Sequence, residues 1–344
     1  MNLRLRITAI YSETKDTKSF ELVSTNGEAI NYKAGQFLPL IFKHINGEEV
    51  RRNYSLSSSP FVDSPLTITV KAVANGEFSR MLVNKAVIGD ELEALEPAGF
   101  FVLPEKISTH QHFYFFAAGS GITPIFSLIK TLLHTTDNTQ MVLVYSNSSK
   151  EQTIFYEALN HLTARYADRF RIIYFFSDAV DMARKRISTY SLGRLFDELA
   201  IKQEVGALFY LCGPTDYMQF ISIYLRSYGI KDGHIRKEQF DVLVPEIKPE
   251  PEDKAAHLVT ILLNKEVYQL KVQYPQTILQ AAKESQIDLP FSCESGQCGT
   301  CAATCTSGNI FMWRNDMLMD EEIAKGRVLT CTGYPVEGDC EIEF

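Results

Sequence analysis

The stretch Ser292-Cys293-Glu294-Ser295-Gly296-Gln297-Cys298-Gly299-Thr300-Cys301, completed by Cys331, decides how this chain is interpreted. Its cysteines follow the pattern C-x4-C-x2-C…C, which is the ligand spacing of a plant-type [2Fe–2S] cluster. Three thiolates on one loop must reach two irons without a backbone collision, so small residues surround them. Gly296 and Gly299 permit backbone angles that a side chain would forbid, and they free N–H groups to point at sulfur. The predicted iron ligands are Cys293, Cys298, Cys301 and Cys331.

Other uses of cysteine fit the pattern less well. A zinc ribbon has two C-x2-C pairs, and only Cys298 and Cys301 form one. A disulfide framework belongs to secreted chains, and the opening Met1-Asn2-Leu3-Arg4-Leu5-Arg6 has no apolar core of a signal peptide. The remaining cysteines are expected to be small core residues, and they are Cys212, Cys305 and Cys340.

Length and composition indicate a globular protein of two or three domains. The chain has 344 residues, of which 45% are hydrophobic and 22% charged. A net charge of −8 without a basic block argues against nucleic acid as a partner. The uncharged stretch 113–129 is too short for a membrane span and contains two glycines and Pro124, so we expect strand, turn and helix there. We therefore expect a cytoplasmic protein with reduced thiols and no transmembrane segment.

Three changes of pattern divide the chain. Residues 1–106 contain short strands separated by turn signals, which predicts a small antiparallel β-barrel. In residues 107–241, apolar strands alternate with helices, which predicts an α/β domain with a parallel sheet. Residues 242–256 are rich in proline and charge and predict an extended, semi-rigid linker. Residues 257–344 contain a hairpin, a helix and the cysteine loop. The predicted strands are 5–11, 19–23, 36–42, 52–57, 66–73, 91–96, 113–118, 141–146, 171–176, 207–211, 258–263 and 267–272, and the helix is 277–285.

The first domain carries Arg51-Arg52-Asn53-Tyr54-Ser55-Leu56-Ser57-Ser58. Alternation along a strand places Arg52 and Tyr54 on one face. An aromatic ring and a hydroxyl can pack against a flavin, and a guanidinium suits its diphosphate, although an exposed strand would explain this segment equally well. Gly76 and Ser79 then lie where a strand turns into a helix. The N–H groups of such a helix N-terminus can bind phosphate.

The second domain opens with Gly119-Ser120-Gly121-Ile122-Thr123-Pro124 directly after an apolar strand. The glycines allow the backbone to approach a pyrophosphate, and Pro124 fits the first turn of the following helix. The full Gly-x-Gly-x-x-Gly fingerprint is not present. Near the end of the domain, Cys212-Gly213-Pro214 follows another apolar strand, at the carboxyl edge where open α/β sheets bind ligands.

Together these segments resemble one family, the ferredoxin–NADP reductase-like flavoproteins, in the branch with a C-terminal plant-type ferredoxin domain of β-grasp-like fold. Arg52-Asn53-Tyr54-Ser55 is similar to the family's flavin motif, and Gly76-Glu77-Phe78-Ser79 is similar to its flavin-phosphate turn. Residues 119–124 resemble its nicotinamide-dinucleotide turn and Cys212-Gly213-Pro214 its nicotinamide-side strand end. The order of domains also matches, so the resemblance covers essentially the whole chain.

The resemblance implies an electron path from NADPH or NADH to FAD, from FAD to the [2Fe–2S] cluster, and from the cluster to a separate oxygenase or hydroxylase. It also implies that Glu238 and Phe240 lie near the flavin, where Phe240 either covers the ring or merely packs. Two segments, 54–60 and 328–331, are most similar to the reductase subunit of phenylacetyl-CoA epoxidase and to steroid-hydroxylase reductases. The residues expected at the reacting rings are Tyr54, Ser55, Thr123, Cys212 and Glu238. The residues expected to bind cofactor are Arg52, Tyr54, Ser55, Leu56, Gly76, Phe78, Ser79, Gly119, Gly121, Thr123, Pro124, Cys212, Gly213, Pro214 and Phe240.

Three questions stay open at this point. The resemblance implies FAD, but the motifs alone do not separate FAD from FMN. Relatives often carry an arginine that binds a 2′-phosphate in the loop that here contains Ser148. Lys150 or the run Arg184-Lys185-Arg186 could bind that phosphate instead, but a run of charges can also be a solvated face. The sequence is therefore compatible with both NADH and NADPH. The acceptor is also open, because a free-standing diaphorase or ferredoxin reductase, or a desaturase reductase, would have the same motifs. Oligomeric state leaves no signal in the sequence.

Overall fold

The computed structural model describes residues 2–44, 47, 49–74, 76–107, 112–199, 207–240 and 248–344. The chain forms two compact units, one made of Met1–Pro97 with Phe101–Phe240 and the other of Ala98–Phe100 with Asp241–Phe344. Three sheets lie in these units, two in the first and one in the second. Among the described residues, no helix is both long enough and apolar enough to cross a bilayer.

The first sheet is an antiparallel barrel, as predicted. Its six strands have the order β4-β3-β6-β1-β2-β5, and a bridge between Leu56 and Ile68 links the end of β4 to β5. Alternate strand residues such as Leu5 and Ile7 point inward and are fully buried. Its elements are β1 (Leu3–Thr14), β2 (Thr17–Ser24), β3 (Phe37–Lys43), β4 (Glu49–Ser55), β5 (Leu66–Lys71), α1 (Glu77–Lys85) and β6 (Glu91–Ala94).

The second sheet is parallel, again as predicted, with the strand order β11-β10-β7-β8-β9. Helices pack on both of its faces. Alternation along β7 sends Phe113 and Phe115 into one apolar core and Tyr114 and Phe116 into the other, which is why this strand is apolar throughout. Its elements are β7 (His112–Ala118), α2 (Ile122–Thr135), β8 (Gln140–Asn147), α3 (Tyr156–Arg165), β9 (Phe170–Phe176), α4 (Thr189–Glu198), β10 (Ala207–Cys212), α5 (Thr215–Ser227) and β11 (Ile235–Glu238).

Polar contacts join helix α2 to the barrel within the first unit. The Ser127 hydroxyl donates to the carbonyl of Ser58 at 2.5 Å, and the hydroxyls of Ser59 and Thr131 are 2.8 Å apart. Lys130 pairs with a carboxylate of the barrel, and burial lowers the pKa of this lysine. Buried polar groups need such partners, so these bonds fix the position of α2 and the second sheet against the barrel.

The third sheet is mixed and has the strand order β13-β12-β16-β14-β15, in the β-grasp-like arrangement expected. Strands β12 and β16 are parallel, and the other pairs are antiparallel. Helix α6 begins at a capping box made by Thr277 and Gln280 and buries Ile278 and Leu279. The elements are β12 (His257–Leu263), β13 (Glu266–Val272), α6 (Ile278–Glu284), β14 (Ala302–Met312), α7 (Asp320–Ile323), β15 (Arg327–Leu329) and β16 (Gly333–Glu343).

The second half of the predicted linker packs against the third sheet's unit. Residues 242–247 lie outside the described residues, so only 248–256 can be followed. Pro251 is buried, and Lys248 lies 4.9 Å from the ring centre of Trp313. The Asp253 carboxylate contacts His257 and accepts the backbone N–H of Glu337. The boundaries of the predicted domains, at 106, 241 and 256, stay predictions.

Candidate functional site

Strand β4 and the start of helix α1 meet at the predicted flavin-phosphate turn. The Arg52 guanidinium is exposed and lies 5.9 Å from the ring centre of Phe78. Phe42 links the two segments, because it stacks on Phe78 at 4.4 Å and meets the Tyr54 ring edge-on at 6.4 Å. Burial raises the pKa of Tyr54, so its hydroxyl stays protonated. The predicted guanidinium, aromatic ring and helix N-terminus therefore converge, although Phe78 is a core residue that supports the site from inside.

Gly76 and Ser79 shape the turn itself. Helix α1 begins after Gly76 and has no side-chain cap, so its first N–H groups are left for another partner. A Cβ at Gly76 would lie 2.3 Å from the Ser79 hydroxyl and 2.5 Å from Cγ2 of Val73, so a larger residue would have to displace these side chains. That hydroxyl donates to the Gly76 carbonyl at 3.2 Å and accepts the N–H of Val73 at 3.4 Å. Ser79 therefore closes the turn, and the helix N–H groups are what remains for a phosphate.

Ser55 and Leu56 end strand β4 in the interior. Ser55 is 5% exposed, and its hydroxyl has no hydrogen-bond partner in the described residues. Leu56 is fully buried and donates its N–H to the Gln36 carbonyl at 2.9 Å. An unpartnered buried hydroxyl is uncommon in a folded protein. Ser55 is thus available to a bound group, whereas Leu56 supports the strand.

The glycine turn after β7 lies at the carboxyl edge of the parallel sheet. Residues Gly119–Gly121 form a 3-10 turn that leads directly into α2, whose N-terminus has no side-chain cap. Gly119 has φ +53°, and a Cβ at Gly121 would be 2.1 Å from the Cys212 carbonyl oxygen. The Thr123 hydroxyl donates to the Ser120 carbonyl at 2.8 Å. Close packing against β10 is therefore a reason for Gly121 that the sequence did not reveal.

Cys212 and Glu238 are neighbours at the same edge of the sheet. They end the adjacent parallel strands β10 and β11, in register. Burial raises the pKa of the Cys212 thiol well above its ordinary value, and the nearby Glu238 adds to this effect. Burial also raises the pKa of Glu238 from 4.5 to about 8, and its Oε2 has no hydrogen-bond partner among the described residues. Near neutral pH both groups therefore keep their protons.

The remaining predicted residues of this edge lie close by along the chain. Gly213 approaches Ala118 so closely that a Cβ would lie 2.9 Å from the alanine Cβ. Pro214 is the N-cap of α5, which has no side-chain cap, and Pro124 lies in the first turn of α2. Two uncapped helix N-termini thus face the ends of neighbouring strands, which is the arrangement that binds a dinucleotide pyrophosphate.

Phe240 and the candidate 2′-phosphate residues are at the surface. Phe240 is 45% exposed. Ser148 follows β8, and Lys150 lies over the Tyr156 ring at 4.7 Å. The side chain of Arg184 is exposed and lies 5.9 Å from the ring centre of Phe175. None of these contacts selects NADH or NADPH.

The four predicted cluster cysteines lie together in the second unit, in two pairs. A hydrogen bond from the Cys298 thiol lowers the pKa of Cys293, and a hydrogen bond from the Cys331 thiol likewise lowers the pKa of Cys301. Within the described residues, no three His, Cys, Asp or Glu side chains are gathered to hold a single metal ion. Two pairs of thiols are what a [2Fe–2S] cluster with four cysteine ligands needs, because each iron takes two of them.

Backbone N–H groups surround these sulfurs. The N–H groups of Ser295 and Gln297 point at Cys293, and that of Gly296 points at Cys331. Gly296 has φ +75°, and a Cβ there would lie 2.7 Å from the Arg314 carbonyl oxygen. Such N–H donors stabilise thiolate and tune a cluster's potential. The chemistry of the donor set therefore fits a [2Fe–2S] cluster held by Cys293, Cys298, Cys301 and Cys331.

Two features of the site were missed by the sequence analysis. Strand β11 is only four residues long and mixes apolar with charged residues, so no periodic pattern marked it. Tyr217 is the second. Its hydroxyl donates to the Ala117 carbonyl at 3.1 Å, which ties α5 to the end of β7. Tyr217 lies five residues after Cys212 in the sequence. This spacing points to the end of β7 only when the positions of β10 and α5 are already known.

Sequence profiles of three domain families match this chain in the order that the fold shows. Residues 4–102 match an oxidoreductase FAD-binding domain, residues 115–222 an oxidoreductase NAD-binding domain, and residues 261–336 a 2Fe-2S iron-sulfur cluster binding domain. The protein is therefore an oxidoreductase that uses FAD, a nicotinamide dinucleotide and a [2Fe–2S] cluster, with electrons passing from NAD(P)H through FAD to the cluster.

Relatives match over almost their full length. The chain is 32% identical to the ferredoxin reductase component of 3-ketosteroid-9-alpha-monooxygenase from Mycolicibacterium smegmatis, over 99% of this chain and 97% of that protein. It is 30% identical to the E subunit of 1,2-phenylacetyl-CoA epoxidase from Escherichia coli K12, with the same two coverages.

Solved structures share the fold. Phthalate dioxygenase reductase superposes with a TM-score of 0.62 at 24% identity, over 100% of this chain and 98% of that one. A type IV self-sufficient cytochrome P450 monooxygenase gives 0.75 at 21% identity, over 99% of this chain and 41% of that one. Because the two sequence relatives match at 30% and 32% identity over almost their full length and the three cofactor domains are present, the chain belongs to the ferredoxin reductase-like flavoproteins that carry a C-terminal [2Fe–2S] domain.

Proposed function

We propose that this protein delivers electrons from NADPH or NADH to a separate oxygenase, with the phenylacetyl-CoA epoxidase class as the first acceptor to test. The observation that carries the proposal is the set of four paired cysteines at the end of a chain that matches oxygenase reductase components over 99% of its length. A cluster accepts one electron at a time, so it suits delivery to an iron oxygenase. The reduced thiols that it requires support a cytoplasmic location.

The residues of the first unit serve the hydride donor and acceptor. Bound FAD and NAD(P)H supply the hydride chemistry, and the protein positions the two rings and excludes water. Ser55 offers an unpartnered buried hydroxyl, and Glu238 offers a protonated carboxyl with a free oxygen. Gly121 lets the nucleotide turn approach Cys212. We assign Ser55, Tyr54, Thr123, Cys212 and Glu238 to the surroundings of the reacting rings, and we assign no proton transfer to any of them because hydride transfer between rings requires none.

Sequence similarity does not separate the candidate acceptors. Residues 54–60 and 328–331 resemble both the epoxidase reductase and steroid-hydroxylase reductases, and overall identity is 32% to a ketosteroid monooxygenase reductase and 30% to the epoxidase protein. A glycine betaine monooxygenase reductase subunit from Pseudomonas aeruginosa is 28% identical. These proteins differ in the oxygenase that they serve, so the acceptor must be identified by reconstitution.

The test is oxygenase turnover with purified components. The reductase is combined in turn with a phenylacetyl-CoA epoxidase and with a 3-ketosteroid 9α-hydroxylase oxygenase, and product is measured with NADH and with NADPH. We expect product with the epoxidase and none without the reductase. The matched control is Cys298→Ser, which should keep reduction of FAD by NAD(P)H and abolish delivery to the oxygenase.

Two outcomes would contradict the proposal. If Cys298→Ser supports oxygenase turnover as well as the wild type does, electrons do not leave through the cluster. If neither oxygenase turns over while the protein rapidly reduces ferricyanide and oxygen, a free-standing diaphorase describes it better. Product with the steroid oxygenase alone would keep the relay and replace the epoxidase as acceptor.

A further inference from the structure

Phe100 lies against the cluster loop within the second unit. Its segment, Ala98–Phe100, belongs to this unit although it is distant from the loop in sequence. A Cβ at Gly299 would lie 2.6 Å from Cδ2 and from Cε2 of the Phe100 ring, so the ring rests directly on the loop backbone. Gly299 follows the cluster ligand Cys298 and lies two residues before the ligand Cys301.

The Phe100 ring has two further partners in the same unit. It packs on the apolar core that contains Cys301 and Cys331. The guanidinium of Arg327 lies 5.8 Å from the ring centre, within the range of a cation–π contact. Arg327 is also held by a hydrogen bond, because its Nη1 donates to the Thr304 hydroxyl at 3.1 Å. An apolar ring and a fixed cation therefore lie together at the loop.

Both groups act on the reduction potential of the cluster. A [2Fe–2S] centre with four thiolate ligands becomes more negative when it is reduced. Water favours the more highly charged form, so an apolar cover lowers the reduction potential, whereas a nearby cation raises it. The same cover slows the entry of solvent and chelators to the loop. The two residues should therefore shift the potential in opposite directions.

We propose that Phe100 and Arg327 are positioning residues that set the reduction potential and the solvent access of the cluster. Phe100 covers the loop at Gly299, and Arg327, held on Phe100 and Thr304, supplies positive charge. Neither residue is a cluster ligand. The inference concerns the cluster unit alone and holds whichever protein accepts the electrons.

The test uses the full-length protein with FAD and cluster bound. The midpoint potential is measured by redox titration followed by electron paramagnetic resonance, and cluster loss by bleaching with an iron chelator. Phe100→Ala should raise the potential and bleach several-fold faster, and Phe100→Leu, which keeps an apolar cover, should remain near the wild type in both. Arg327→Gln should lower the potential. The control is Phe344→Ala, a half-buried aromatic on the same apolar core whose N–H bonds to Leu262; it should leave both measurements unchanged.

These measurements separate a role at the cluster from ordinary packing. If Phe100→Ala and Arg327→Gln both keep the wild-type potential while binding a full cluster, the proposal is wrong. It is also wrong if Phe344→Ala shifts the potential as far as Phe100→Ala does, because the effect would then be one of general stability. If Phe100→Ala retains no cluster, Arg327→Gln decides the question, and an unshifted potential in that variant would overturn the proposal. Reduction of FAD by NAD(P)H should be unchanged in all four variants.

Discussion

The buried carboxyl of Glu238 should make the first unit less stable as the pH rises. Glu238 is 5% exposed, and its Oε2 has no partner in the part of the chain that the structure describes. Burial raises its pKa from 4.5 to about 8. Between these two pH values the folded protein holds a proton that the unfolded chain has released. The free energy of unfolding therefore falls as the pH rises through this window, and it levels off above the folded pKa.

The size of the effect follows from the pKa difference. At about 1.36 kcal/mol per pKa unit, the full loss between pH 4.5 and high pH is about 5 kcal/mol. Between pH 6 and pH 9 the expected loss is about 3 kcal/mol, because part of the window lies below pH 6. Glu238→Gln replaces the acid with a neutral group of the same shape and should remove this pH dependence. The stability difference between the variant and the wild type should therefore grow by about 3 kcal/mol from pH 6 to pH 9 in favour of the variant.

Urea unfolding of the FAD-loaded protein, followed by the rise in flavin fluorescence as FAD is released, measures this difference. If the substitution lowers the free energy of unfolding by the same amount at every pH, it shifts the whole stability curve without changing its shape. The comparison therefore uses only how the stability difference between the variant and the wild type changes with pH. Cys212→Ser is the control, because it removes the neighbouring thiol and should leave the pH dependence of the wild type in place. Parallel pH curves for Glu238→Gln and the wild type would show that Glu238 is ionised in the folded protein, which would refute the reasoning.

Three further outcomes are expected. Gly121→Ala should lower the free energy of unfolding by about 3 kcal/mol, the upper end of the overpacking range, because its Cβ would meet the Cys212 backbone. It should also slow reduction of FAD by NAD(P)H in stopped flow. Gly119→Ala should cost only about 1–2 kcal/mol of backbone strain, and equal effects of the two substitutions would contradict the contact. Residues 257–344 contain twelve acidic and six basic residues. Rising ionic strength should therefore slow reduction of a basic natural acceptor more than reduction of ferricyanide, and equal salt slopes would dispose of this idea. With Cys298→Ser, turnover of cytochrome c should fall sharply, and unchanged turnover would show that electrons reach it from FAD.

Local spacing made much of this protein predictable. The C-x4-C-x2-C loop must place its thiols close together because so few residues separate them. Apolar runs bounded by turns marked the strands of the first sheet, β7 to β10 of the second and the hairpin β12–β13 of the third, whereas the bounds of β14, β15 and β16 were not predicted. Short-range signals failed where the deciding neighbour is distant in sequence. Nothing near Gly121 indicates that the Cys212 carbonyl lies where its side chain would be, and β11 is too short to show a period.

The sequence by itself determined the order of the domains and the family of cofactors, and it predicts the four iron ligands. Each of these signals lies in residues only a few positions apart or in a simple periodic pattern. Only the tertiary structure decided how the thiols pair, that Cys212 and Glu238 lie side by side in the interior, and that Phe100 rests on the cluster loop. These arrangements depend on strand register and burial between segments far apart in the chain. Register and burial are properties of the packed molecule, and they are what set the protonation of Glu238 and the surroundings of the cluster loop.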